Sequence, residues 1–292
     1  MNSHSKNLGL GVLLALASAL LMSLIAALIK HTATLASIEV IVAVQYSISL
    51  AMLLPWLARQ GIQVLRTERP GLHLVRGLSG WACFYTYYLA IEHIPLVDAA
   101  LLRNAAPLCV PLWLLCWLGI KLNGLRWVPL LVGFAGIALI LQPEGQTLSF
   151  WHLVGLGSAL SLAGSIVTTR QLTASEPTNR ILFYYFLISA LAAAPLALLN
   201  DAPIPSHAWP PMIVIGLSVW LIMWLYTQAY RYAPALVLSP LSYSGVAFAG
   251  YWGWLFWDQQ PGLLTLAGTA LVITGGTLSV VLAERGPTRS LD

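Results

Sequence analysis

The chain has 292 residues with 14 Lys and Arg against 10 Asp and Glu, a formal charge of +4; 59% of it is apolar and 8% charged. Soluble domains carry about 25% charged residues, so a water-facing globule is excluded, as is a charge-rich disordered chain. No basic run of the kind that grips nucleic acid is present, and the bulk of the chain belongs in lipid.

A hydrocarbon core about 30 Å thick needs about 20 apolar residues per helix, and about 17 suffice. On that ruler ten spans follow in chain order, at 8–29, 38–57, 72–91, 96–118, 127–141, 151–169, 181–199, 211–230, 235–257 and 263–283. Polar punctuation separates them, including Arg59 to Pro70, Pro143-Glu144-Gly145, Asn200 to Pro203 and Asp258 to Pro261. The expected fold class is an all-α membrane protein. Basic residues orient it. With the N-terminus inside, Lys6, Arg59, Arg66, Arg69, Lys121, Arg126, Arg170, Arg180, Arg231, Arg285 and Arg289 are cytoplasmic, Lys30 lies opposite, and Arg76 and Arg103 fall within helices. Both termini are therefore expected in the cytoplasm, of a multi-pass inner-membrane protein. Cys83, Cys109 and Cys116 fall in apolar stretches with no metal-ligand spacing, so no metal or cofactor is expected.

The two halves match. An offset of 140 superposes Ser18-Ala19-Leu20 on Ser158-Ala159-Leu160, Lys30 on Arg170 and Pro55 on Pro195. An offset of 139 superposes Trp81 on Trp220, Tyr87 on Tyr226, Ala90 on Ala229, Pro95 on Pro234, Trp113 on Trp252 and Gly136 on Gly275. Five spans per half force the second half to enter from the opposite side. The expectation is a 5+5 inverted-topology repeat, residues 1–146 and 147–292, the architecture of alternating-access carriers.

Tyr88 to Pro95 with Ala99-Ala100 and Pro107, Ala229 to Pro234 with Ser239-Pro240, and the glycine-bearing Ala267 to Gly275 together resemble the EamA-type members of the drug/metabolite transporter superfamily. The resemblance covers nearly the whole chain and implies ten helices and a secondary carrier of amino acids, related metabolites or amphipathic drugs. It departs from the family at Arg103-Asn104, where small apolar residues are usual, and at Asp258, where the family often carries Glu.

Arg103 lies about 12 Å past the Pro95 turn, near the midplane, where a cation costs at least about 2.5–3.5 kcal/mol. It is either a structural arginine pinned by carbonyls or a guanidinium that receives an anionic solute group. Pro107 cannot donate to the carbonyl of Arg103, nor Pro111 to that of Pro107, so this helix should kink; Pro240 offers a matching hinge in the ninth span. Under the repeat Arg103-Asn104 maps onto Ser242-Tyr243. Trp81, Tyr85, Tyr88 and Glu92 share a face of the third span, matched in the eighth by Trp220, Trp224, Thr227 and Arg231; Tyr226 and Gln228 add polar tips. The substrate-binding set is thus Arg103, Asn104, Tyr85, Tyr88, Trp81, Tyr226, Gln228, Ser242 and Tyr243, with Gln45, Tyr46, Tyr184 and Tyr185 as further lining. Asp98, Glu92, Glu39 and His31 are the titratable groups available for proton coupling. The fifth and tenth spans, poorest in polar residues, should face lipid or a second subunit.

Gly77-Leu78-Ser79-Gly80 and His152 imitate an intramembrane serine protease, but they belong at opposite membrane faces, beyond hydrogen-bond reach. No enzyme is expected. The reading is an exporter of small carboxylate-bearing metabolites such as amino acids, in contact with the lipid bilayer and a small-molecule substrate but no nucleic acid, as a monomer or homodimer. A lipid-linked-metabolite flippase, a nucleotide or carboxylate exchanger, and a scaffold or intramembrane enzyme are the alternatives.

Overall fold

The computed structural model describes residues 8–118, 127–140, 149–173, 175–200, 203–232, 241 and 243–285, and among these there is no strand. The protein is an all-helical membrane protein. Its helices in chain order are α1 (Leu8–Thr32), α2 (Ile38–Ala51), α3 (Leu54–Gln60), α4 (Pro70–His93), α5 (Leu96–Asn104), α6 (Ala106–Leu118), α7 (Trp127–Ile140), α8 (Phe150–Leu172), α9 (Thr178–Leu198), α10 (Trp209–Tyr232), α11 (Ser244–Trp257) and α12 (Leu263–Arg285). Five stretches are long and apolar enough to cross a membrane by length and composition: Gly9–Thr32, Ile38–Gln60, Phe150–Thr169, Thr178–Leu198 and Ser206–Ala229.

Helix starts follow local chemistry. Ser37 accepts from the Val40 amide at 3.5 Å and Ser149 from the Trp151 amide at 3.3 Å, while Pro55 and Pro70 occupy first-turn positions where a missing N–H costs nothing. Two expected spans are broken. The second divides at Met52 and Leu53, just before Pro55. The fourth divides at Ala105, two residues before Pro107, where the Ala105 amide turns back to the Leu102 carbonyl at 3.1 Å; the expected kink is there. Pro240 lies outside the described residues, and Pro111 sits within an unbroken stretch of α6.

Packing between helices comes in related pairs. α4 lies along α8 as α1 lies along α10; α4 meets α9 as α10 meets α2; α6 meets α8 as α11 meets α1; α2 packs on α9 and α7 on α12. Side chains repeat the pattern. Gly77 faces Ile188 and Gly216 faces Ile48, each closely enough that a Cβ would come within 2.6 and 2.7 Å of the isoleucine. The Ser189 hydroxyl donates to the Gly77 carbonyl at 3.1 Å, and that of Ser49 to the Gly216 carbonyl at 2.8 Å. The Trp113 indole donates to the Leu160 carbonyl at 2.8 Å and that of Trp252 to the Ser23 hydroxyl at 3.1 Å. α7 and α12 meet at a glycine seam: a Cβ on Gly136 would sit 2.7 Å from the Gly268 carbonyl oxygen, one on Gly275 2.6 Å from the Gly133 nitrogen. These two helices thus bury a face on each other, beyond the lipid-facing role expected of them. Their outer faces still expose Leu131 and Leu263, as apolar surface in contact with lipid does. Polar side chains inside the helices turn back on their own carbonyls, as Ser18, Thr86 and Thr168 do, which satisfies them without water.

Candidate functional site

The bundle has two ends. Residues 33–37, 94–95 and 258–262 form the distal end; residues 61–69, 173 and 175–177 form the proximal end, where α1 begins. At the distal end the Lys30 ammonium donates to the carbonyls of Ile91 at 2.5 Å and Ile94 at 2.9 Å, and the Leu96 amide donates to Gln259 Oε1 at 3.1 Å. Asp258, in the left-handed region at φ 52°, ends α11 and turns the chain toward Gln259. At the proximal end Glu176 accepts from the Thr67 hydroxyl at 2.6 Å and from Arg180 Nη1 at 2.5 Å. Arg180 Nε donates to the Val64 carbonyl at 2.5 Å and the Tyr184 hydroxyl to that of Leu65 at 2.7 Å. Burial pushes the Glu176 carboxyl up, but the hydrogen bonds from Thr67 and Arg180 and the Arg180 charge outweigh it and hold the group below the usual carboxylate range. Loop 61–69 of the first half is thus strapped to the α8–α9 connection of the second.

Between the ends lies a tyrosine pair. Tyr46 on α2 and Tyr185 on α9 are 139 positions apart, the same offset that superposes the tryptophans, and their hydroxyls meet at 3.3 Å. The rings pack edge to face at 5.8 Å, and the Tyr46 hydroxyl donates to the Gly80 carbonyl at 3.2 Å. Gly80 has no room for a side chain: a Cβ would sit 2.1 Å from the Tyr185 ring.

On the distal side of this pair, Arg103 closes the last turn of α5 at the break. Its guanidinium carbon lies 5.4 Å from the Phe84 ring centre and 5.1 Å from that of Tyr87, with the Cys83 thiol and Tyr88 beside it. Its Nε is buried without a hydrogen-bond partner, and among the described residues no carboxylate lies within 4.0 Å. Tyr88, fully buried, donates to Gln45 Oε1 at 2.5 Å, leaving Gln45 Nε2 unpartnered. A half-buried cation whose Nε is sealed and an unmet amide donor thus stand on one side of the tyrosine pair, both able to receive an oxygen anion.

The other expected residues divide. Tyr85 donates to Glu39 Oε1 at 2.8 Å, and the two line a distal cavity of about 520 Å³ with Leu196, Leu199 and Asn200. Trp81 stacks on Tyr85 at 5.6 Å and 7°; its indole nitrogen, like that of Trp220, is buried without a partner. Gln228 lines a proximal cavity of about 300 Å³ with Trp56, Thr178, Asn179 and Trp224. Arg103 and Tyr88 line neither. Asn104 donates back to the Ala100 carbonyl at 2.8 Å, so its amide serves its own helix. Tyr243 fills a notch over Gly276 on α12, its hydroxyl reaching the Val272 carbonyl at 3.5 Å. Tyr226 is exposed at the rim of α10, and Ser242 lies outside the described residues. Of the acids, Glu92 is exposed beside His93 at 3.9 Å, and Asp98 is buried with Oδ1 unpartnered; His31 is exposed. The residues missed by sequence reasoning are Arg76, Ser165 and the Thr67–Glu176–Arg180 strap. That Tyr46 and Tyr185 stand at the offset of 139 was open to view in the sequence.

The sequence profile of the EamA-like transporter family matches the chain twice, over residues 9–142 and 149–281. Among curated proteins, the pseudopaline exporter CntI of Pseudomonas aeruginosa is 34% identical, over 90% of this chain and 93% of its own length. The riboflavin transporter of Brucella anthropi is 28% identical over 84% and 88%, and the S-adenosylmethionine uptake transporter of Rickettsia bellii 23% over 82% and 82%. A solved crystal structure at 22% identity superposes with a TM-score of 0.63 over 94% of this chain and 99% of its own, a likeness of fold. With both halves matched and a relative of this identity spanning nearly its full length, the chain belongs to the EamA-like transporter family, within the drug/metabolite transporter superfamily.

Proposed function

We propose that this protein is a secondary carrier that exports a small carboxylate-bearing metabolite, of the amino-acid class, by alternating access, with Arg103 receiving the carboxylate. The observation that carries the reading is Arg103 itself: a guanidinium inside the bundle, between two rings, with Nε unpartnered and no carboxylate within 4.0 Å among the described residues. A cation so placed is costly until an anion arrives, and that cost is recovered on solute binding.

The scaffold proposed is ten spans in two inverted five-helix repeats, 1–146 and 147–292, related by an axis through the Tyr46–Tyr185 contact. The paired helix contacts and the family profile's two matches support it. The break at Ala105 and Pro107 is the hinge beside Arg103. Straps at both ends and a tyrosine pair between them describe a closed carrier; release of the Lys30 and Gln259 ties opens the distal side, release of the Glu176 strap the proximal. Both termini are cytoplasmic by the basic-residue bias, so the distal end faces outward. The outward direction draws support from the exporter among the relatives. Asp98, buried and incompletely bonded, is the strongest of the four acids and histidines as a proton-coupling group, whereas Glu39 is engaged by Tyr85. A monomer or homodimer satisfies this arrangement equally.

Relatives named as a riboflavin transporter and as an S-adenosylmethionine uptake transporter, together with the stacked Trp81–Tyr85 pair at the distal cavity, favour as the second reading an aromatic solute moving inward. Counterflow in proteoliposomes with labelled amino acids, carboxylates, nucleosides, riboflavin and choline separates the two. The primary reading expects carboxylate-bearing amino acids to be carried and Arg103→Gln to slow them by about tenfold or more. Carriage of purely cationic solutes, with all carboxylates refused, refutes it.

A further inference from the structure

Arg76, on α4, is a second guanidinium inside the bundle and is buried, 8% exposed. Nη1 donates to the Ser165 hydroxyl on α8, and the guanidinium carbon lies 4.1 Å from the Tyr185 ring centre. Nε is buried with no partner. Among the described residues no carboxylate comes within 4.0 Å. A guanidinium has five N–H donors; one hydroxyl and a ring face leave most of that capacity unmet. The repeat does not require the charge, since the position related by 139 is Ile215.

Its placement gives the charge a meaning. Gly80, one turn along α4, admits both the Tyr185 ring and Arg76 Nη1 into the space a Cβ would occupy. Arg76 therefore lies against the proximal side of the tyrosine pair. On the other side, Phe84 stands edge-on to Tyr46 at 6.2 Å and carries Arg103 over its ring. Arg76 and Phe84 are eight residues apart, about 12 Å of helix rise. Two cations, one buried and one half-buried, each with Nε unpartnered, thus flank one aromatic partition, and a solute with a single anionic group neutralises only one of them.

We propose that Arg76 is a second anion-binding position, and that the solute carries two anionic groups separated by an uncharged segment, one held at Arg103 and the other at Arg76 when the tyrosines part. The anion-to-anion spacing follows from the helix rise and is on the order of 10 Å. This rests on the proposed role of Arg103 and adds to it the length and charge of the substrate.

The test is a homologous series of α-amino acids ending in a second carboxylate (aspartate, glutamate, 2-aminoadipate, 2-aminosuberate), each paired with its methyl-ended counterpart, measured as competitors of counterflow in proteoliposomes. The readout is the ratio of affinities within each pair. For the unmodified protein the ratio rises with the solute's chain length and reaches about tenfold or more at 2-aminosuberate. Arg76→Gln brings it to about one, and Arg76→Lys keeps part of it. Ser165→Asp places a carboxylate against Arg76; it preserves the fold yet also collapses the ratio, an outcome that a merely structural Arg76 does not give, and one that keeps the test decisive if Arg76→Gln does not fold. A flat series in the unmodified protein, or a ratio that survives either Arg76→Gln or Ser165→Asp, overturns the proposal. If Arg103→Gln handles the methyl-ended amino acids as the unmodified protein does, the fault lies with the role of Arg103 instead.

Discussion

Removing the hydroxyl of Tyr46 should loosen the bundle more than removing that of Tyr185, although the two side chains are mates in one contact. The Tyr46 proton is committed to the Gly80 carbonyl at 3.2 Å, so Tyr46 accepts from Tyr185 at 3.3 Å. Both distances exceed the usual O–H···O value of about 2.8 Å, which places each bond at the weak end of about 0.5–1.5 kcal/mol. Tyr185→Phe deletes one bond and leaves Tyr46 satisfied, at about 0.5–1 kcal/mol. Tyr46→Phe deletes both and strands the Tyr185 hydroxyl at a position 1% exposed, at about 1–3 kcal/mol. Because the pair joins α2 to α9, that energy is withdrawn from the closed arrangement, and about 1 kcal/mol shifts a two-state equilibrium about fivefold. Cys83, 1% exposed beside both rings, reports the change. With Cys109 and Cys116 replaced by alanine, alkylation of Cys83 in membranes should quicken about fivefold in Tyr46→Phe and less in Tyr185→Phe. The double variant, which leaves no Tyr185 hydroxyl stranded, should label more slowly than Tyr46→Phe. Unchanged labelling, or the opposite order, refutes the hydrogen-bond assignment and the gating role built on it.

Gly136→Ala and Gly275→Ala each drive a Cβ onto the backbone of the facing helix and should cost about 1–3 kcal/mol, measured as thermal unfolding in detergent, whereas Gly157→Ala meets open space and should be neutral or slightly stabilising. Gly77→Ala and Gly216→Ala, which press on Ile188 and Ile48 at nearly equal distances, should agree within about 0.5 kcal/mol in the same assay; a large disparity speaks against the repeat. Glu176 is held below the ordinary carboxylate range, so its strap is complete at neutral pH and is lost as pH falls through the depressed value. Glu176→Gln should therefore lower stability by about 1–3 kcal/mol at neutral pH and remove part of the acid-induced loss seen in the unmodified protein, read from melting curves across acidic pH.

Sequence reasoning located helices better than neighbours. Apolar length and punctuation found the five stretches long enough to cross a membrane, and the missing N–H of Pro107 announced the break at Ala105. Periodicity assigns a residue to a face without saying what the face meets. Trp81, Tyr85 and Tyr88 share a stripe, yet Tyr85 reaches a cavity through Glu39 while Tyr88 is sealed against Gln45. Asn104 was grouped with Arg103 as a substrate-binding residue and is spent on its own helix, because a short amide reaches the carbonyl one turn back more easily than a solute. Tyr243 was grouped with Arg103 by the repeat, but the glycine at 276 opens a notch on α12 that takes the ring away. Arg76 passed as one charge among several, since the feature that distinguishes it, the lack of a carboxylate within 4.0 Å among the described residues, is a fact of tertiary structure.

The Tyr46–Tyr185 contact has a bearing on how such a carrier evolves. Where two copies of a five-helix unit meet at a residue facing its own counterpart, a separate dimer of those units must change both sides of the contact with every mutation. Joined in one polypeptide, the counterparts are free to drift. Under the proposed repeat, one tyrosine here has acquired the Gly80 carbonyl and the other an arginine. Divergence that begins at the centre of a symmetric machine gives its two strokes unequal energies, a footing on which a transporter can come to favour one direction of travel.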